Sequence, residues 1–351
     1  MVSWAVVAMA DEPASLLAAW AGHHLEMGAA EVHLCLDRPN PEAVALLSGV
    51  KGVHLHEDGE DAWAFRSIGR RPKTQNGRQK YHASRILAQT RADWLLHCDA
   101  DEFLFPTPVG ETVERILARI EPEKTWVQAL VAERVRVRGR PVQDIFSGVF
   151  RLPWERFETE GAALYGAEAG ELLHHGLSGH HMGKAMVRAG RGLCIGVHHA
   201  LTRYDPPERD PNLVPAAGLR VLHFDGLTEL HYLLKMLRYG LDPHFGKPDP
   251  HAGPRWRQIS AVLDDVQAPE RLELIHMAAK TITPAQAQGL AERILLRRWA
   301  PEIGARAATV IPNLPDLTPV AFDADLMARE AALLEALRLK LGFDPVPHSG
   351  Q

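Results

Sequence analysis

The chain opens on an apolar run at residues 2–8 (VSWAVVA), rich in β-branched and aromatic side chains. A run of that length and composition predicts a buried strand. Asp11, Glu12 and Pro13 follow, a capping carboxylate with an early proline that predicts a helix start. Leu16, Leu17, Trp20, Ala21, His24 and Leu25 then recur at helical spacing until Gly28 stops them. Residues 32–36 (VHLCL) predict a second strand, 37–41 a turn, 42–47 a helix and 53–56 a third strand. Strand, helix, strand, helix, strand implies right-handed crossovers and a mostly parallel sheet flanked by helices. Ligands on such sheets sit at the carboxyl ends of the strands, where Asp11 with Glu12, Asp37 and the acidic segment 57–61 fall.

The pattern then breaks. Residues 66–80 (RSIGRRPKTQNGRQK) hold Arg66, Arg70, Arg71, Lys73, Arg78 and Lys80 among Gly, Pro and Asn. The stretch is expected to be a loop, either a solvated connection or an anion-binding flap beside the sheet. Helical spacing returns over residues 79–90, and residues 93–98 (DWLLHC) read as another apolar strand, ending in Asp99-Ala100-Asp101-Glu102. An amphipathic helix is expected at 112–120 and strands at 126–131, 135–137 and 221–223, with a helix through Leu230, Leu233, Leu234 and Leu237. Residues 140–204 are irregular and rich in Gly and His. A Pro- and Gly-rich hinge is expected at 243–254, and residues 255–343 read as mostly helical with polar faces. No internal repeat or low-complexity segment interrupts the chain.

A length of 351 residues suggests two domains, or one large one with an appendage. Apolar residues at 46% and charged residues at 24% exclude a disordered tail or a rod. The formal charge of −5 gives no sign of a nucleic-acid partner. Cys35, Cys98 and Cys194 are too sparse for a disulfide framework or a zinc spacing. With no signal-peptide pattern and no long apolar stretch, a soluble cytoplasmic protein is expected. Histidine is frequent, 19 in all, with doublets at 23–24, 174–175, 180–181 and 198–199.

The sharpest chemical signal is residues 94–105 (WLLHCDADEFLF). A strand delivering three carboxylates within four residues gathers like charge that a cation must relieve. A hard divalent ion, Mn²⁺ or Mg²⁺, suits oxygen ligands. Asp99 and Asp101 fall on one side of an extended segment, with Ala100 behind. An isolated Asp-x-Asp is more often a surface turn, but the apolar strand before it and Phe103 and Phe105 after it favour a buried sheet edge. A glycine-rich run at 190–196 has the wrong spacing and context for a dinucleotide loop, and neither a P-loop nor a Gly-x-Ser-x-Gly elbow is present.

Strand, then Asp-x-Asp-Glu-Phe, resembles the metal motif of GT-A fold glycosyltransferases, closest to the family 2-like and family 92-like group. Residues 12–28 (EPASLLAAWAGHHLEMG) resemble the N-terminal pattern of that group, and residues 80–84 followed by Asp93-Trp94 the approach to its metal strand. Gly183-Lys184 with Arg188, Val197-His198, and His223-Phe224 with Lys235 resemble later motifs in the same order. The resemblance covers residues 1–240 or so and not the helical tail. It implies a GT-A type, Rossmann-like sheet over residues 1–245, a nucleotide-binding half to about 124 and an acceptor-side half beyond it; the helical region at 255–343 rests on its own pattern. It implies transfer of a sugar from a nucleotide-diphosphate sugar to a glycan or glycolipid acceptor. Asp99, Asp101, His198 and His223 are the implied metal ligands, His199 being an alternative. Asp11, Glu12, Asp37, Arg78, Lys80, Asp99 and Lys184 are the implied donor-binding residues, with Arg188 also placed to meet phosphate. The group usually carries Asn-Glu where this chain has Asp11-Glu12. An inverting enzyme needs a carboxylate base; Asp225 is the first candidate, with Glu133, Asp144 and Glu155 competing. The C-terminal helices are expected to buttress the acceptor site, dimerise or touch a membrane face. A nucleotidyltransferase, a phosphohydrolase or a non-catalytic nucleotide- or glycan-binding module are the rival readings.

Overall fold

The computed structural model describes residues 2–57, 71–241 and 253–345. Most of the acidic segment at 57–61, Arg66 and Arg70 of the cationic stretch, and nearly all of the expected hinge lie outside the described residues. In chain order the elements are β1 (Trp4–Ala10), α1 (Ala14–Glu26), β2 (Glu31–Leu36), α2 (Pro41–Leu47), β3 (Val53–Glu57), α3 (Gln75–Gln89), β4 (Trp94–His97), β5 (Glu102–Pro106), α4 (Val113–Ala118) and β6 (Trp126–Val137). Then come β7 (Val149–Arg151), α5 (Phe157–Tyr165), α6 (Ala167–Glu171), β8 (Lys184–Arg188), β9 (Cys194–Ile195), β10 (Ala200–Tyr204), β11 (Pro207–Arg209), β12 (Leu213–His223) and α7 (Glu229–Leu241). The last are α8 (Pro254–Asp264), α9 (Pro269–Lys280), β13 (Thr281–Ile282), α10 (Pro284–Glu292), β14 (Leu296–Arg297), α11 (Ile303–Val310), α12 (Pro319–Arg329) and α13 (Ala331–Leu341). The fold is α/β, a mixed, mostly parallel sheet flanked by helices.

The chain divides into two compact units, each built from three segments. The first takes Met1–Val131, Met182–Leu222 and Pro301–Pro315; the second takes the remainder. In the first unit β4, β1, β2 and β3 lie side by side and parallel, with Val6 opposite both Val32 and Leu96. β8 runs antiparallel to β4, and the first half of β6 antiparallel to β8. Parallel strands covered on both faces read as unbroken apolar runs rather than alternating ones, and β1 is buried at every position.

α1 is buried along residues 14–24, hence its apolar residues on every side. Its start differs from the expectation: Pro13 occupies the cap and no side chain caps it, because Asp11 is turned to an ion pair with Arg38 at 2.7 Å. At Gly22 the helix passes so close to α11 that a Cβ would come within 2.7 Å of the Ala307 Cα. The cationic stretch also differs. Thr74 accepts the Gly77 amide and caps α3, so Arg78 and Lys80 are helical rather than in a loop.

The His23-His24 pair is part of the core. His23 Nε2 donates to the Leu104 carbonyl at 2.8 Å. Leu104 N donates to His24 Nε2 at 3.2 Å, which leaves His24 Nδ1 to donate to the Trp20 carbonyl at 2.9 Å. His24, which accepts at Nε2, is therefore neutral, and His23 is kept neutral by burial, which draws its pKa down to about 4. His97, at the end of β4, is drawn to about 4 by the same cause.

In the second unit the latter half of β6 pairs antiparallel with β7, β7 with β14, and β6 parallel with β13. Val135, Val149, Trp154, Phe157, Leu173, Ile282 and Leu296 belong to its apolar core. The C-terminal region is mostly helical, yet it also supplies β13 and β14 here and α11 to the first unit. No helix among the described residues is long and apolar enough to cross a membrane.

The neutral histidines set a pH dependence. Unfolded, they take up protons below their ordinary value of 6.5; folded, His23 and His97 resist until about 4. Stability is thus complete above 6.5 and falls as pH drops toward 4, by about 1.4 kcal/mol per pH unit for each histidine. Urea midpoints followed by tryptophan fluorescence should fall from about pH 7 to about pH 5, and His97→Leu should flatten that slope.

Candidate functional site

Strand order in the first unit reverses between β1 and β4. β1, β2 and β3 proceed to one side, and β4 returns to the other. A crevice opens at such a switch point beyond the carboxyl ends of the strands. Asp11 and Glu12 leave β1 there, Asp37 leaves β2, and residues 98–101 leave β4.

The acidic segment after β4 is a turn, closed by Glu102 N donating to the Asp99 carbonyl at 3.0 Å. The alternation expected of an extended segment does not hold, and it is Asp99 and Glu102 that converge, on Lys184. Glu102 is fully buried and accepts the Asp99 amide at 2.8 Å. Asp99 accepts from Gln79 Nε2 at 2.6 Å and from Lys184 Nζ at 2.7 Å. Lys184 also meets Glu102 at 3.0 Å. Asp101 is 5% exposed. Burial would strip the Lys184 ammonium of its proton, but Asp99 and Glu102 outweigh burial and hold its pKa above the ordinary value.

α3 ties the strand ends together through adjacent residues. Arg78 grips Asp37 with two bonds of 2.7 Å, and Gln79 bonds Asp99. Arg71 adds a bond to Asp37 at 2.5 Å. Burial pushes the Asp37 pKa up, yet Arg78 and Arg71 outweigh it and hold the carboxyl below its usual range. Asn40 fixes the loop after β1 by donating to the Glu12 carbonyl at 3.0 Å. The Lys80 carbonyl takes the Tyr204 hydroxyl at 2.8 Å. Gly183, at φ +69°, lets the chain pass beside β6, where a Cβ would lie 2.3 Å from the Ala129 carbonyl. The Gly183 carbonyl accepts His198 Nδ1 at 2.8 Å, which sets that tautomer.

Of the expected site residues, Asp11, Glu12, Asp37, Arg78, Asp99 and Lys184 therefore meet at one edge of the first unit, with His198 beside Gly183. Arg188 does not join them. β8 runs antiparallel to β4, so Arg188 pairs with Trp94 at the far end of the strand and stacks on its ring at 4.3 Å. Nothing in the sequence pointed to Gln79, whose role follows only from the turn of α3.

His223 and Asp225 belong to the second unit. The His223 ring stacks on His180 at 5.0 Å. Asp225 is 1% exposed and receives Lys235 and Arg255 at 2.9 Å each, together with Lys280. Burial would raise its pKa, but Arg255, Lys235 and Lys280 hold it well below the usual range. A carboxylate so stabilised as an anion is a weak base, and the base role expected for Asp225 does not suit it. Glu133 is equally committed. It accepts Arg151 at 2.6 Å, Ser178 N at 3.0 Å and Gly179 N at 2.6 Å.

No protein-family model matches the chain, and no curated protein matches it. Clusters of Asp, Glu and His that could hold a metal ion are present among the described residues.

The Lys184 cluster makes a stability prediction. Lys184→Met would leave Asp99 and Glu102 without their cation, at a loss of roughly 3–5 kcal/mol, the scale of breaking a buried ion pair. The double variant Lys184→Met with Glu102→Gln should recover part of that loss in urea denaturation.

Proposed function

We propose that the chain is a metal-dependent glycosyltransferase of GT-A type, moving a sugar from a nucleotide-diphosphate sugar to a glycan or glycolipid acceptor. The observation that carries this reading is the gathering of Asp11, Asp37 and Asp99 at the carboxyl ends of β1, β2 and β4 around the strand-order switch. Base and ribose carry donors that such carboxylates accept. A carboxylate offers about four acceptor sites, so Asp37 keeps capacity beside its arginines.

The donor set fits a hard divalent ion. The Asp99 side chain is 31% exposed and retains lone pairs beyond those given to Gln79 and Lys184. Asp99 and Asp101 would hold Mn²⁺ or Mg²⁺, with His198 of the same unit as the nitrogen ligand that the resemblance implies. When bound, the ion takes up charge on the diphosphate leaving group. Lys184 already offsets the charge of Asp99 and Glu102, which weakens their hold on a bare cation. Metal uptake is therefore coupled to arrival of the diphosphate, which brings the missing negative charge. Lys184 and Arg78 act as positioning residues: one fixes the Asp99 turn, the other Asp37.

The reading is tested with a panel of nucleotide sugars, with Mn²⁺ and with EDTA, on wild type and Asp101→Ala. Donor binding and slow donor hydrolysis should require the metal, and Mn²⁺ affinity should rise when nucleotide is present. Asp101→Ala should lose turnover by about 100-fold or more, the scale of removing one charge-stabilising group. Binding indifferent to metal and to Asp101 would instead mark a nucleotide- or glycan-binding module. Release of pyrophosphate or phosphate without sugar transfer would mark a nucleotidyltransferase or phosphohydrolase.

A further inference from the structure

Within the second unit, His174, His175 and His181 come together through an unusual turn. His174 N donates to the Leu177 carbonyl at 2.7 Å, and Leu177 N returns a bond to His174 at 2.9 Å. The two residues between them, His175 and Gly176, both have positive φ, 51° and 73°. That is the signature of a type I′ turn, whose first central position favours Asn, Asp or Gly. A histidine there carries a steric penalty for its Cβ. Such backbone outliers persist where the surroundings impose them, and they gather at functional positions.

The strained position brings the rings together. Ring centroids lie 4.3 Å apart for His174 and His175, 4.2 Å for His175 and His181, and 5.0 Å for His174 and His181. One nitrogen from each ring lies within 4.8 Å of the others, and all three side chains are half-buried. Metal–nitrogen bonds of about 2.0–2.1 Å need only a modest inward rotation of rings so placed.

The backbone beneath is pinned on both sides. Trp154 N donates to the His175 carbonyl at 2.9 Å. Ser178 N and Gly179 N donate to the buried Glu133 carboxylate. Gln258 Nε2 reaches the Leu172 and Ser178 carbonyls at 2.7 and 2.9 Å. Glu158 Oε1 lies 3.2 Å from His174 Nδ1, the carboxylate–histidine contact that orients metal-binding imidazoles.

We propose that His174, His175 and His181 form a three-nitrogen site for a borderline transition-metal ion such as Zn²⁺, Ni²⁺ or Cu²⁺. An all-imidazole set prefers these ions to Mg²⁺ or Mn²⁺, which seek oxygen. The proposal does not depend on the glycosyltransferase reading.

Co²⁺ is the probe, with the full chain and with two variants. His175→Asn keeps a residue that tolerates positive φ, so the turn survives while the ligand is lost; His181→Gln removes a second ligand. Wild type should bind one Co²⁺ with visible bands typical of nitrogen ligation. Zn²⁺ should displace it and excess Mg²⁺ should not. Each variant should bind about 10-fold or more weakly with unchanged circular dichroism. Absence of those bands in wild type, their displacement by Mg²⁺, or their persistence at equal affinity in both variants would overturn the site.

Discussion

Lys184 is fully buried and charged, and both facts hold only because Asp99 and Glu102 lie against it. A buried ammonium without partners would give up its proton or unfold the segment around it. The pairing requires β8 to start opposite the end of β4, and it requires the chain after β4 to turn at once so that Asp99 and Glu102 converge. The geometry of the acidic edge is thus set from within the first unit. The second unit meets the same constraint with more groups: Glu133 and Asp225 are shared among Arg151, Lys235, Arg255 and Lys280. Clusters of this kind tolerate few alternatives, since a displaced member leaves a charge buried and alone.

Much of the fold was legible because the parallel strands are buried on both faces. β1, β2 and β4 stand out as apolar runs, and α1 and α7 as leucine-rich periodic stretches. The turn residues between them marked most boundaries to within a few positions. The failures have physical causes. The strand-like stretches at 126–131 and 135–137 are one strand, β6, because the polar residues between them, Glu133 and Arg134, are buried within ion pairs and hydrogen bonds rather than exposed. The cation-rich stretch before Tyr81 looked like a loop because charge and glycine hid the Thr74 cap.

The candidate site was only partly legible. Local pattern placed Asp11, Asp37 and Asp99 at strand ends, which is a matter of register along each strand. It could not reveal that each carboxylate already has a cation, since Arg38, Arg78 and Lys184 come from elsewhere in the chain. The histidine doublets at 174–175 and 180–181 were visible as composition. Their meeting depends on a two-residue turn with positive φ, which histidine does not advertise.

The close approach at Gly22 has a consequence for the order in which the protein is made. α1 leaves the ribosome well before its cover, α11, with residues 27–302 made between them. At about 5–20 residues per second that delay is on the order of 15–60 s. Throughout it, one apolar side of the helix that backs the parallel sheet has no native partner, and the nascent chain presents it to chaperones and to neighbouring nascent chains. A fragment ending before residue 303 would contain every strand of the parallel sheet and still keep that face bare.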